Sequence, residues 1–118
     1  MMQSYRKLKV WQEAMELVDK VYEITKSFPK EELFGLVSQL RRAAVSIASN
    51  IAEGSLRGGK KEFKQFLCIA YGSLGEVETQ MEIAYRQRYI DERIMEEFFI
   101  LTAKVGKMLN GLSKSLDR

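Results

Sequence analysis

The segment "GSLRGGKK", from Gly54 to Lys61, has residue types and a spacing that could bind phosphate. It matches all but the last position of G-x-x-x-x-G-K-[ST], the phosphate-binding loop of nucleoside-triphosphate enzymes. Lys61 stands where that motif has a Ser or Thr to hold magnesium. The segment is therefore a damaged phosphate-binding loop, a basic anion site of another kind, or a turn between two helices.

The elements around this segment argue against a nucleotide-binding loop. Such a loop needs a strand before the glycines and a helix after them, whose free N–H groups face the phosphate. Here the pattern before Gly54 is helical, and Gly54 suits the left-handed position that ends a helix. With Gly59 as the N-cap of the next helix, Lys60 and Lys61 lie in its first turn. The sequence thus predicts a helix–helix turn that could hold an anion.

Two residue types that often carry catalysis or bind metals, His and Cys, are missing or isolated. The chain has no His, so the commonest general base and metal ligand is absent. Cys68 is the only cysteine, which excludes an internal disulfide and a cysteine metal cluster. Ser46 and Asn50 lie beside an apolar stripe and are expected to form hydrogen bonds across helices. We therefore expect no enzyme activity, no cofactor, no metal and no small-molecule substrate.

Apolar residues recur at helical spacing in four segments, and strand alternation is sustained nowhere. Phe28-Pro29 ends the first segment, because the residue before a proline avoids helical geometry. Short connections favour antiparallel neighbours. The sequence predicts an all-α fold, an antiparallel up-down-up-down four-helix bundle that forms a single domain over residues 1–118. Its helices are expected at about 7–27, 32–53, 60–87 and 91–113.

The third of these helices has more apolar surface than one core needs. A helix that is apolar nearly all round is buried nearly all round, and in so short a chain the extra cover would come from other subunits. The alternative is a wide apolar stripe in a slightly irregular monomer. The residues predicted to form an oligomer interface are Cys68, Ile69, Tyr71, Gly72, Gly75 and Ile83.

Basic residues concentrate in three segments that an up-down bundle would bring to one end. Residues 1–9, 54–64 and 104–118 each have a net charge of +3, while the whole chain also has +3, so the rest carries −6. A basic end suits the phosphate backbone of nucleic acids. Lysines at turns and helix C-termini are also often simply solvated. The predicted nucleic-acid-binding residues are Arg57, Lys60, Lys61 and Lys64, with Lys7, Lys9 and Lys107 in support.

The composition is that of a globular chain. Apolar residues make up 46% and charged residues 30% of the 118 positions, which excludes intrinsic disorder. The longest apolar run, "FLCIAY", is far below the roughly 18 residues of a membrane span. The beginning of the chain lacks the apolar stretch of a signal peptide. We expect a cytoplasmic protein without a membrane partner.

Four stretches carry a likeness to a known family: "KVWQ", "FPKEE", "RRAAVSIASNIAEG" and "FLCIAYGSLGEVETQ". They resemble the bacterial 23S rRNA-intervening sequence proteins, and the likeness covers nearly the whole chain. The resemblance implies a left-handed up-down bundle that assembles as a ring-like homopentamer, with no established enzymatic activity. Coding regions of this family often lie inside ribosomal RNA genes, and a related accessory protein of diversity-generating retroelements is also basic and pentameric. The resemblance therefore implies contact with nucleic acid.

Two functions remain open from the sequence. The first is a non-catalytic homopentameric bundle that binds structured RNA or another nucleic acid through its basic end. The second is a scaffold or adaptor whose pentameric surface binds a protein partner, with no nucleic-acid role. Salt should weaken the first kind of binding strongly and the second only slightly.

Overall fold

The four apolar stripes form four α-helices in the computed structural model, which describes residues 4–118 of the chain. No strand occurs in these residues, so the all-α fold class is confirmed. None of the helices in this part combines the length and the apolarity needed to cross a bilayer. The helices are α1 (Lys9–Thr25), α2 (Ser38–Leu56), α3 (Lys60–Arg86) and α4 (Glu92–Ser115), and a short 3₁₀ turn, Ser4–Lys7, precedes them.

Each helix packs mainly against two others, so that α1 contacts α2 and α4, while α3 contacts α2 and α4. The stripes meet in one core, where Leu17, Leu40 and Phe98 are fully buried. Burial of a side chain of this size contributes about 1.5–3 kcal/mol each. At about 1.5 Å per residue, α3 is roughly 40 Å long. It therefore runs along nearly the whole 44 Å length of the molecule, which is 23 Å across.

The second helix begins six residues later than the spacing predicts. Lys30–Glu32 forms a 3₁₀ turn and Leu33–Val37 a π-helical turn before α2 starts at Ser38. The backbone of Gly35 is non-helical, at φ −110° and ψ −108°. The Glu32 carboxylate accepts a hydrogen bond from the Leu36 N–H at 3.2 Å, which stabilises this irregular segment. All other boundaries of α1, α3 and α4 lie within two residues of those expected.

Gly54 does not end α2, which corrects the sequence-based assignment. The helix continues to Leu56, and the left-handed residue is Gly58, at φ 86°. Gly54 is buried inside α2. A Cβ atom added there would lie 2.6 Å from Cβ of Phe66 on α3. The glycine therefore allows the backbones of α2 and α3 to approach each other closely.

One carboxylate joins the start of α2 to the turn between α3 and α4. Glu32 Oε2 accepts a hydrogen bond of 2.9 Å from the Tyr89 hydroxyl, while Oε1 accepts the Leu36 N–H. The hydrogen bond to Glu32 raises the pKa of Tyr89 above its usual value, and partial burial adds to this. Asp91 then caps α4 by accepting the Ile94 N–H at 2.8 Å.

Ser46 and Asn50 were expected to form hydrogen bonds across helices, and only Ser46 does so. The hydroxyls of Ser46 and Ser73 lie 2.8 Å apart and form a hydrogen bond across the two helices. Asn50 instead donates within its own helix, to the carbonyl oxygen of Ser46 at 2.7 Å and to its hydroxyl at 3.0 Å. Ser46 therefore joins the two helices, and Asn50 orients Ser46.

Gly54→Ala should destabilise the protein because the added methyl group collides with Phe66. A Cβ only 2.6 Å from Phe66 Cβ puts the cost in the upper part of the range of about 1–3 kcal/mol for overpacking, at about 2–3 kcal/mol. The gain in helix propensity returns about 1 kcal/mol, so we expect a net loss of about 1–2 kcal/mol. Denaturant unfolding measures the difference. Gly111→Ala on α4, where a Cβ meets nothing within 4 Å, is the control and should be neutral or stabilising. A Gly54→Ala variant as stable as the parent would contradict the close approach.

Tyr89→Phe should lower the Tm at neutral pH, because the hydrogen bond to Glu32 is lost. The folded-state pKa of Tyr89 lies above its unfolded value of about 10. The hydrogen bond therefore stabilises the folded state fully below pH about 10, and this stabilisation is lost as the pH rises through the folded-state pKa of Tyr89. Thermal unfolding between pH 7 and pH 11 should show the gap between parent and variant closing at the alkaline end. Tyr85→Phe is the control, since the Tyr85 hydroxyl forms no hydrogen bond within residues 4–118. A difference in Tm between parent and Tyr89→Phe that stays constant with pH would contradict the hydrogen bond from Tyr89 to Glu32.

Candidate nucleic-acid interface

The turn between α2 and α3 positions four of the seven basic residues that were predicted to bind nucleic acid. Arg57 follows the last residue of α2, Gly58 and Gly59 make the turn, and α3 begins at Lys60. Gly59 is the N-cap, as expected, and its carbonyl accepts the Phe63 N–H at 2.9 Å. Lys61 lies in the first turn of α3 and Lys64 one turn later. The turn thus places four basic side chains within eight residues.

Arg57 is held by carboxylates on both sides of the turn. Its guanidinium lies 2.8 Å from Glu53 on α2 and 3.9 Å from Glu62 on α3. It also stacks over the Phe66 ring, 5.3 Å from the ring centroid. The hydrogen bond and charge of Glu53 raise the pKa of Arg57 above its usual value. Arg57 therefore keeps its charge, but Glu53 and Glu62 offset that charge locally.

Two lysines of α3 contact the residues that follow α4. Lys60 Nζ donates to the main-chain oxygen of Arg118 at 2.9 Å, and Lys64 forms an ion pair with Asp117. Residues 117 and 118 therefore lie against the first two turns of α3. They occupy side chains that would otherwise be free to bind an anion.

Four of the predicted binding residues are exposed and form neither an ion pair nor a side-chain hydrogen bond with any residue from 4 to 118: Lys7, Lys9, Lys61 and Lys107. The 3₁₀ turn that carries Lys7 packs against α1 and α2. It is held there by the neighbouring Arg6, whose guanidinium lies 5.2 Å from the centroid of the Trp11 ring. Within the α2–α3 turn, Lys61 is the one basic residue that has neither an ion pair nor a side-chain hydrogen bond to residues 4–118.

Lys107 lies elsewhere, in an open groove between α3 and α4. This α3–α4 groove has a volume of about 620 Å³. Lys104 also lines the groove and forms an ion pair of 3.0 Å with Glu13 of α1. Small and apolar residues form much of its lining, which includes Tyr71, Gly75, Glu78, Ile100, Ala103 and Gly106. Lys107 is thus separated from the cations of the turn.

The residues predicted to form an oligomer interface are all exposed in the single chain. They are Cys68, Ile69, Tyr71, Gly72, Gly75 and Ile83, and a Cβ added at either glycine would meet nothing within 4 Å. Tyr71 and Gly75 line the α3–α4 groove. The other four are not part of it. The contribution of α4 to this groove was missed, because Ala103 and Gly106 give no signal in an otherwise helical pattern.

A second apolar surface was also missed, at the side formed by α1 and α2. Phe34 is 93% exposed and lies beside Leu33, Tyr22 and Val45, which are exposed as well. We call these four residues the Phe34 patch. The run "ELFGLV" suggested only a continuous helix, and the turn of the backbone at Gly35 is not visible in that pattern. Within the described residues, no group of three or more Cys, Asp or Glu side chains is arranged to hold a metal ion.

Comparisons with known proteins agree with the resemblance drawn from the sequence. A family model described as "23S rRNA-intervening sequence protein" matches residues 6–111. Among curated protein sequences, none matches the chain. A crystal structure of a protein with unknown function, from the S23 ribosomal protein family of Bacteroides thetaiotaomicron, superposes with a TM-score of 0.82. The match has 24% sequence identity and covers 89% of this chain and 95% of that chain. At this identity the likeness supports the fold.

Asp117→Asn should make the α2–α3 turn more attractive to polyanions, because it releases Lys64 from its ion pair. Exposed ion pairs contribute about 0–1 kcal/mol, so stability should change little. The variant should elute from a heparin column at a higher salt concentration than the parent. Asp19→Asn on α1 makes the same change in net charge away from the turn and is the control. Equal shifts for both variants would mean that net charge alone determines the elution.

Proposed function

Because the chain belongs to the 23S rRNA-intervening sequence protein family, we propose that it is a non-catalytic homo-oligomeric helical protein whose basic end binds structured RNA. The observation that carries the proposal is the α2–α3 turn with its four basic side chains, of which Lys61 is exposed and has no ion pair within residues 4–118. The family description refers to 23S rRNA, which is consistent with an RNA partner.

The proposal takes the four helices to run up and down in turn. Two contacts support this order. The start of α3 lies beside residues 117 and 118 after α4, and Glu32 before α2 is bonded to Tyr89 after α3. In that order, the N-terminal residues, the α2–α3 turn and the residues after α4 share one end. Most of the positive charge then lies at that end, and an electrostatic field of this kind attracts phosphate backbones over long range.

The oligomer is the second part of the proposal, and we take it to be a cytoplasmic homopentamer, as the family resemblance implies. Ile69, Tyr71 and Ile83 on α3 and the Phe34 patch are exposed apolar side chains, and they support assembly because clusters of such side chains often mark interfaces. An oligomer with cyclic symmetry would gather the basic ends of its subunits on one face. Several weak phosphate contacts per subunit would then add up to tight binding.

The expected contacts are with phosphates, and base reading should be weak. Phe63 and Phe66 are the aromatic residues next to the turn, and both are partly buried. Phe66 also lies under the Arg57 guanidinium. No aromatic ring of the turn is therefore free to stack on a base, which is the usual means of binding single-stranded nucleic acid. RNA would be selected by the shape and charge of its backbone.

Lys61→Glu should weaken RNA binding and reduce its salt dependence. Each lost phosphate contact lowers the slope of log K against log salt by about 1. Fluorescence anisotropy with a structured RNA, repeated at several salt concentrations, measures both effects. Because Lys61 is exposed and unpaired within the described chain, its replacement should leave the fold intact.

The matched control is Lys30→Glu. Lys30 is exposed and lies close in sequence to Glu32, which contacts Tyr89 at the far end of α3 from Lys61. The two variants have the same net charge, so the account predicts a large loss of affinity for Lys61→Glu and a small one for Lys30→Glu. If the parent protein binds no RNA even at low salt, the RNA proposal is wrong. The scaffold function, with a protein partner, then becomes the better hypothesis.

A further inference from the structure

Arg41 is held beside the Phe34 patch by groups that carry no charge. Its Nε donates a hydrogen bond of 3.0 Å to the hydroxyl oxygen of Thr25, which is itself buried. Its guanidinium lies 4.5 Å from the centroid of the Tyr22 ring. The side chain is half-buried, and it forms no ion pair with any residue from 4 to 118. Arg41 is therefore a positioned cation whose Nη groups are available to an anion, and a partly buried cation gains most from such a partner.

The groove that contains Arg41 is positively charged. It has a volume of about 450 Å³, and Arg42 is the second cation in its lining, which includes no acidic residue. Arg42 is exposed and also borders the neighbouring groove between α2 and α3, where Glu76 lies beyond ion-pair distance from it. Each guanidinium presents a planar fork of N–H donors that matches a carboxylate. The charge of the groove therefore calls for an anionic partner.

Apolar side chains surround the two arginines and call for an apolar partner as well. Phe34 is 93% exposed, Leu33 50% and Val45 41%. The segment that carries Phe34 is ordered, because the Glu32 carboxylate accepts the Leu36 N–H. Aromatic residues and arginine are the types that most often anchor protein–protein interfaces. The aliphatic side chains favour a protein over a nucleic acid, whose bases stack on aromatic rings. A small molecule in so shallow a groove would leave Phe34 uncovered.

We propose that the Phe34 patch, with Arg41 and Arg42, binds an acidic amphipathic segment of another protein. Carboxylates of that segment pair with the two guanidiniums, and its apolar side chains cover Phe34 and Leu33. The contact is independent of RNA binding, which the proposed function places at the opposite end of the molecule. It also leaves α3 as the surface through which copies of this chain assemble.

Two labelled synthetic helices test the charge requirement by fluorescence anisotropy. One has leucine and phenylalanine on one face and glutamate on the other, and its partner has glutamine in place of every glutamate. The full chain should bind the glutamate peptide about tenfold or more tightly than the glutamine peptide, because only carboxylates form charge-assisted hydrogen bonds with arginine. Added salt should reduce this difference.

Arg41→Gln and Phe34→Ser test the two parts of the site. Arg41→Gln should weaken binding of the glutamate peptide about tenfold and leave binding of the glutamine peptide unchanged, whereas damage to the fold would weaken both. Phe34→Ser should weaken binding of the glutamate peptide about 30-fold, because it removes the central anchor. Lys114→Gln makes the same charge change at an exposed position of α4, and Leu56→Ser removes a 58% exposed side chain outside the groove. Both controls should bind like the parent.

Three results of the peptide experiments would overturn the inference. They are equal affinity for the two peptides, binding of neither peptide, and a parent-like affinity of Arg41→Gln for the glutamate peptide. Displacement of the glutamate peptide by a structured RNA would also overturn it, because the patch would then belong to the RNA surface.

Sedimentation velocity separates this inference from the proposed function. The inference predicts that Phe34→Ser has the same oligomeric state as the parent. If Phe34→Ser dissociates an oligomer that the parent forms, the patch is buried between copies of this chain. The oligomer of the proposed function then stands and the inference is wrong. A parent that binds the glutamate peptide but no RNA would support the inference and overturn the RNA proposal.

Discussion

The close approach of α2 and α3 at Gly54 is the contact on which the basic end depends. Because Gly54 has no side chain, Phe66 packs against the α2 backbone. Phe66 in turn supports the Arg57 guanidinium, and the turn at Gly58 and Gly59 follows directly. The start of α3, with its lysines, is thereby fixed relative to α2. A looser packing here would leave the cations of the turn without a defined arrangement.

The opposite end of the molecule is organised by one carboxylate. Glu32 fixes the irregular segment before α2 and joins it to Tyr89 after α3. The same arrangement places Phe34 in solvent. The two ends thus differ: the end with the α2–α3 turn carries exposed cations, and the other end carries an exposed aromatic side chain, Phe34.

The sequence was sufficient for the fold class and for three of the four helices, because their apolar stripes are long and regular. It failed at Gly54 and at "ELFGLV" for physical reasons. A glycine near the end of a helix indicates a cap, and only the spatial position of Phe66 shows that Gly54 serves a helix contact. The pairing of Lys60 and Lys64 with residues 117 and 118 joins positions more than 50 residues apart and leaves no local pattern. Charge counting alone therefore overestimated the free cations of the turn.

The most direct test of the central claim, that RNA binds at the basic end, is lysine footprinting by acetylation, quantified by mass spectrometry with and without a structured RNA. The account predicts that RNA protects Lys61, Lys7 and Lys9 while the reactivity of Lys30 stays the same. Equal protection of Lys30, or protection of none of these lysines by an RNA that binds, would contradict it.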